Sequence, residues 1–169
     1  MTNQQKINKF AKRGYNDIPE RKAVERLLTN DPNFKSWLQD YFQIDGPFQL
    51  VQDPLGEYKV DMGAVDRDGK ILGLIEVDVF FSWKNEWPSH YKWCHRLGRK
   101  RKYWINTSYP YINITFSVNH KDAIVTTREI ESQYPIKNKY FKYKQMTEQI
   151  VEVPISKAIK FGDWCQHGL

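Results

Sequence analysis

Cysteine is scarce in this chain: Cys94 and Cys165 are the only two among 169 residues. Such a pair builds neither a disulfide framework nor, unaided, a four-ligand zinc site. Long apolar runs are missing too. None approaches the roughly 20 residues that a helix needs to cross a bilayer, so no membrane-spanning role is expected. The opening MTNQQKINKFAKR lacks an apolar segment with a small-residue cleavage site, so a cytoplasmic protein is expected rather than a secreted one. In that compartment the Asn-x-Ser/Thr matches at Asn106 and Asn113 read as chance.

Acid is missing from one long stretch. Between Trp87 and Lys121 there is no Asp or Glu, while Lys92, Arg96, Arg99, Lys100, Arg101, Lys102 and Lys121 stand there together. Those cations alone exceed the net charge of the whole chain, +6. A basic segment this concentrated points to a polyanionic partner, either nucleic acid or an anionic membrane surface. The plain alternative is a solvated helix face, although solubility surfaces normally mix both signs. What the chain does have in plenty is aromatic residues: nine Phe, ten Tyr and six Trp, enough large rings for one compact core.

Local signals outline an α+β domain. Residues 1–16 read as a loose basic arm. Asp17-Ile18-Pro19-Glu20 looks like a helix start, with Asp as cap, Pro in the first turn and Glu three residues after the cap. That helix runs through Ala23, Val24, Leu27 and Leu28 until Asn30-Asp31-Pro32 stops it, and a second helix follows through Phe34, Trp37, Leu38 and Tyr41. Strands are expected over 47–52, 58–66, 71–82, 111–118 and 123–127. A helix is expected from Ser89 to Trp104, and a last edge strand over 150–155, near Pro154. The chain reads as a single domain over 1–169, with a core at 17–128 and an extension at 129–169.

Asp68-Gly69 between two strand-like runs signals a tight hairpin, because a type I′ turn needs positive φ at both central residues. With a two-residue loop, facing residues have numbers that add to 137, so Asp61 faces Glu76 and Lys59 faces Asp78. The shared face continues with Gly63, Val65, Leu72, Leu74 and Phe80. Two carboxylates roughly 5 Å apart repel by about 3 kcal/mol at an effective dielectric of about 20, and apolar neighbours raise that cost. A divalent cation resolves it, and hard oxygen ligands suit Mg²⁺ or Mn²⁺. Alternatively, Asp61 pairs with Lys59 at a sheet edge and Glu76 faces solvent. Against this, GLIEVDVFF is apolar on both faces, as in a central strand.

A strand acid, a hairpin, a second acid in an apolar strand and then a basic helix together resemble the PD-(D/E)XK nuclease superfamily. The resemblance covers residues 17–118 and implies a restriction-endonuclease-like αβββαβ core, a mixed central sheet flanked by helices. It assigns Asp61 and Glu76 to the two motif acids, with the Val77 carbonyl joining them on the metal. Glu20 matches an extra glutamate many members use, while its other role is the capping box. The lysine usual two positions after the second acid is Asp78 here. Lys59, Lys84 or Lys92 are the candidates to replace that cation.

On the expected helix, Lys92, Arg96, Arg99, Lys100 and Tyr103 form one stripe, with Lys102 nearby and Trp93, Leu97 and Trp104 opposite. His90 and His95 lie among them and read mainly as surface residues. Lys137, Lys139, Lys142 and Lys144, interleaved with Tyr140, Phe141 and Tyr143, either extend the track or form an ordinary strand surface. The expectation is a Mg²⁺-dependent endodeoxyribonuclease of homing, phage or structure-specific type. The resemblance further implies double-stranded DNA as the partner and a dimer or tetramer, because cutting both strands takes two sites. The alternatives are a non-catalytic nucleic-acid-binding protein with a decayed centre, or an RNA nuclease. Membrane-surface binding fits worst, since the expected helix has no broad Leu/Phe face.

Overall fold

The computed structural model describes residues 22–56, 60–80, 82–87, 92–96 and 107–160, with 93–96 described through the backbone. Two helices come first, α1 (22–30) and α2 (Pro32–Tyr41). Asn30-Asp31-Pro32 ends α1 as expected, and Asp31 then starts α2. Its carboxylate accepts the Phe34 N–H at 2.8 Å, and Pro32 sits in the first turn, where a missing N–H costs nothing. Val24 and Leu28 on α1, and Phe34 and Leu38 on α2, are fully buried, as the helical period requires.

The strands are β1 (Gln49–Gln52), β2 (Met62–Val65), β3 (Ile71–Phe80), β4 (Trp93–Arg96), β5 (Tyr111–Ser117) and β6 (Ala123–Thr127). After a short helix α3 (Arg128–Glu131) come β7 (Lys137–Phe141), β8 (Met146–Val153) and β9 (Ile159–Lys160). Six of them form one sheet in the order β1-β2-β3-β5-β6-β9. Its neighbours run antiparallel except β3 and β5, which are parallel, so the sheet is mixed. Every residue of β5 is buried. The remaining strands form a second sheet, β4-β8-β7. Among the described residues, no helix is long and apolar enough to cross a membrane.

Two expectations need correction. The helix expected from Ser89 to Trp104 is not helical where the chain is described. Trp93–Arg96 is the strand β4, with Trp93 opposite Val153 and Arg96 opposite Ile150. Trp, Cys and His are indifferent helix formers, and the open edge of β8 supplies a tertiary partner that decides the outcome. The run at 150–155 is no edge strand either, since β8 lies between β4 and β7. Pro154 interrupts no ladder because it follows the strand, at the N-cap of a 3₁₀ turn over Ile155–Lys157.

The main sheet has two unlike faces. On one, α1 and α2 pack against Met62, Ala64, Ile75, Val77, Ile112, Ile114, Phe116, Ala123 and Val125 in a single apolar cluster. The helices approach closely at Gly73: a Cβ there would meet the Phe42 ring and force it to shift. On the other face Val60, Leu74 and Tyr111 form a small apolar group at one end. Trp83, Ile124, Val151 and Val153, with Phe80, form another where β8 meets the sheet. Between these two groups the face is polar.

Candidate functional site: an acidic row on the polar sheet face

The hairpin that positions the acids is built differently from the expected two-residue turn. The Asp66 N–H donates to the Lys70 carbonyl at 3.0 Å, and the Gly69 N–H donates to the Asp66 carbonyl at 3.2 Å. The loop is therefore Arg67-Asp68-Gly69, with Gly69 taking the positive φ of +79°. The Asp66 carboxylate accepts the N–H groups of Asp68 and Lys70 at 2.9 and 2.8 Å, which ties the loop down. A longer loop should have displaced the register. Val65 does pair with Ile71, one step away from the expected match, but the next pair is Ala64 with Gly73. Leu72 is thus an extra residue, a β-bulge, and it restores the anticipated pairing for Ala64–Gly73, Gly63–Leu74 and Met62–Ile75. Leu72 itself packs with the helix-side cluster, not on the acidic face where alternation had put it.

The ladder ends at Met62–Ile75. Asp61 comes next: its carbonyl accepts the Asp53 N–H at 3.0 Å, which carries the pairing with β1 one residue further, while the pairing with β3 has stopped. Its side chain takes the place the strand leaves: Oδ2 accepts the Val77 N–H at 2.9 Å. That bond holds the Asp61 carboxylate against the backbone one residue beyond Glu76. An extended residue sends its N–H and C=O toward the same neighbouring strand, so the Val77 carbonyl leaves toward Asp61 too.

Glu76 is buried, with 9% of its surface exposed, and Asp78, two residues along the same face, is partly exposed. Their neighbours on β5 are Asn113 and Thr115. Asn113, Thr115, Ser117, Thr126 and Glu131 are all buried polar residues. Glu131 projects from α3 and gathers this layer together. It accepts from the Tyr111 hydroxyl at 3.1 Å, the Thr126 hydroxyl at 3.2 Å and the Asn113 side-chain amide. Burial, reinforced by the charge and hydrogen bond of Glu131, pushes the Tyr111 hydroxyl far above the ordinary tyrosine range. It stays protonated as a donor. The Arg128 guanidinium lies 4.7 Å from the Tyr111 ring centroid and donates to the Tyr109 carbonyl.

The structure therefore brings Asp61 to the Val77 backbone and sets Glu76 and Asp78 on one face beside a buried polar layer. Among the described residues, no three His, Cys, Asp or Glu side chains converge as a metal-holding group. Lys84 is exposed just beyond Trp83, and Lys92 is exposed just before β4. Lys92 and Arg96 lie along an extended stretch, so the helical stripe expected to join them does not form there. Glu20, Lys59, Arg99, Lys100 and Lys102 lie outside the described residues. A shallow cleft lined by Lys35, Pro47, Phe48, Gln49, Asp66 and Arg67 includes none of the acids of the row.

Sequence reasoning missed Asn113 and Glu131. Asn113 registered only as a chance glycosylation match, and its burial confirms that it presents no such surface. The signal was available in YINITFS: strand alternation puts Asn113, Thr115 and Ser117 on one face, opposite Ile112, Ile114 and Phe116. Glu131 had no comparable signal, because it reaches the layer from a one-turn helix. Comparison with protein-family models, curated proteins and solved structures finds no match.

Proposed function

We propose that this protein is a divalent-metal-dependent endonuclease that hydrolyses phosphodiester bonds in DNA, with a restriction-endonuclease-like core. The observation that carries the reading is the Asp61 carboxylate bonded to the Val77 N–H, beside the buried Glu76 on the same pair of strands. A carboxylate buried in the middle of a sheet is costly unless a cation or donors offset its charge. The donor set fits Mg²⁺ or Mn²⁺: Asp61, Glu76 and the Val77 carbonyl are hard oxygens, and none is sulfur or imidazole. When bound, such an ion supplies charge that polarises a phosphate and lowers the pKa of a coordinated water.

The protein's own residues supply the rest. Asp61 is oriented by the Val77 N–H, and Glu76 is fixed by its place in a central strand. Asp78, closer to solvent, is suited to orient an attacking water. Lys84, exposed just after β3, is the nearest described cation in sequence to take the part of the missing motif lysine, with Lys59 and Lys92 as the other candidates. The acid-free segment with Lys92, Arg96, Arg99, Lys100 and Lys102 neutralises backbone phosphates. Cutting both strands of a duplex would call for a dimer or tetramer.

One observation favours a second reading. Asp78 occupies the place of the motif lysine, as in a decayed centre that binds nucleic acid without cutting it. Cleavage of supercoiled plasmid with Mg²⁺, Mn²⁺ or EDTA separates the two. Metal-dependent nicking that falls by at least about a thousandfold in Glu76→Ala, with DNA binding retained, is the expected result. Binding without nicking under every metal would favour the second reading, and nicking undiminished in Glu76→Ala would remove the proposed site.

A further inference from the structure

The acidic row has a neutral neighbour whose bonding is half finished. Asn113 lies directly across from Glu76 on the parallel strand β5 and is 3% exposed. Its side-chain nitrogen donates to Glu131, which assigns the two ends of the carboxamide: the oxygen is the other arm. That oxygen, Oδ1, is buried and has no hydrogen-bond partner among the described residues. A buried acceptor left unsatisfied costs folding free energy, and folded proteins rarely leave one without a reason.

The reason lies in the direction of the two arms. Glu131 also receives the hydroxyl of Thr126, the residue opposite Asn113 on β6, so it sits on the β6 side of Asn113. Glu76 is the neighbour on the β3 side. The arms of a carboxamide diverge, so fixing Nδ2 on Glu131 turns Oδ1 away from β6 and toward the row of acids. Glu131 cannot rotate freely to release it, because Tyr111 and Thr126 hold its two oxygens separately. The amide is aimed.

We infer that Asn113 Oδ1 is a neutral oxygen ligand for the divalent cation held by Asp61 and Glu76, with Glu131 as the residue that orients it. This rests on the metal-centre reading above. Chemically it suits a hard cation, for which side-chain amide oxygens serve alongside carboxylates and backbone carbonyls. It also adds a donor that repels neither acid, in a row where a further carboxylate would raise the like-charge cost. Glu131 thereby becomes a positioning residue, coupled to the cation through Asn113.

The test measures Mn²⁺ binding to the full chain by titration calorimetry, in wild type, Asn113→Leu and Glu76→Ala, with circular dichroism on each. In parallel, the Asn113 side-chain ¹⁵N and ¹³Cγ resonances of the wild-type protein are followed during Mg²⁺ titration, a readout that needs no variant to fold. Asn113→Leu should weaken Mn²⁺ binding by about tenfold or more, in the range seen when residues around a metal site are removed. The Asn113 resonances should shift to saturation along the binding curve. If Glu76→Ala abolishes Mn²⁺ binding while Asn113→Leu leaves it unchanged, or the Asn113 resonances stay still during saturable binding, Asn113 is no ligand and the acidic centre stands without it. If wild type binds no Mn²⁺, or Glu76→Ala binds as tightly as wild type, the metal-centre reading itself fails.

Discussion

On the helix side of the main sheet, Met62, Ile75, Val77, Ile112, Ile114 and Phe116 meet Val24, Leu28, Phe34 and Leu38 in one apolar cluster. On the other side the same strands present Glu76, Asn113, Thr115 and Ser117, all buried and all polar. Side chains alternate across a strand, so a single stretch such as Ile75-Glu76-Val77-Asp78 serves both faces at once. The apolar side removes hydrocarbon from water, which is the main favourable term in folding. The polar side buries groups that must be matched one by one and gives back little net stability for doing so. The two faces therefore contribute unequally to stability.

That contrast can be broken by substitution. Phe34→Ala, deep in the apolar cluster, should lower stability by about 3–5 kcal/mol in denaturant titration. Glu76→Gln should cost no more than about 1–2 kcal/mol in the metal-free protein, since it keeps the shape and an acceptor oxygen for its partners. Equal losses from both substitutions would mean the faces do not differ in this way. Gly73→Ala probes the closest helix–sheet approach and should cost about 1–3 kcal/mol, because the Phe42 ring has to move; no loss would show that the helices pack more loosely.

A smaller effect sharpens the polar side. Tyr111→Phe removes one hydrogen bond to Glu131 and should cost about 1 kcal/mol at neutral pH. The Tyr111 hydroxyl has a raised pKa in the fold, so its contribution is fully present below the ordinary tyrosine value and is lost as pH rises beyond it. The stability of wild type should therefore fall above pH about 10 more steeply than that of Tyr111→Phe.

The smallest effect belongs to neither face. Lys137 and Lys139 hold Glu152 at 2.6 and 3.1 Å across β7 and β8. The hydrogen bond from Lys137, opposed by partial burial and aided by Lys139, keeps this carboxyl below its usual range. Its stabilisation is present above the unfolded carboxyl value and fades as pH drops through the lower folded one. Glu152→Gln should flatten the acid limb of a pH–stability curve by less than about 1 kcal/mol, as surface pairs do.

Much of this was legible in the residues. The period of α2, the positions of β3, β5 and β6, and the pairing of the hairpin beyond its loop follow from local patterns. What local pattern could not supply was partnership. WCHR became a strand because β8 lay beside it, and β8 gained a second neighbour for the same reason. The acids of the row were visible because carboxylates in an apolar strand stand out, whereas Glu131 depends on a contact between distant segments.

The bulge at Leu72 bears on how a chain of this kind changes over generations. The three-residue loop and the extra strand residue offset each other, and the alternation of β3 comes out right only when both are present. Losing either alone would turn β3 over, carrying Glu76 and Asp78 to the helix side and Ile75 and Val77 to the polar side. The hairpin can therefore gain or lose residues singly only if loop and bulge alter together. A comparison of descendants should find their lengths inherited as a pair.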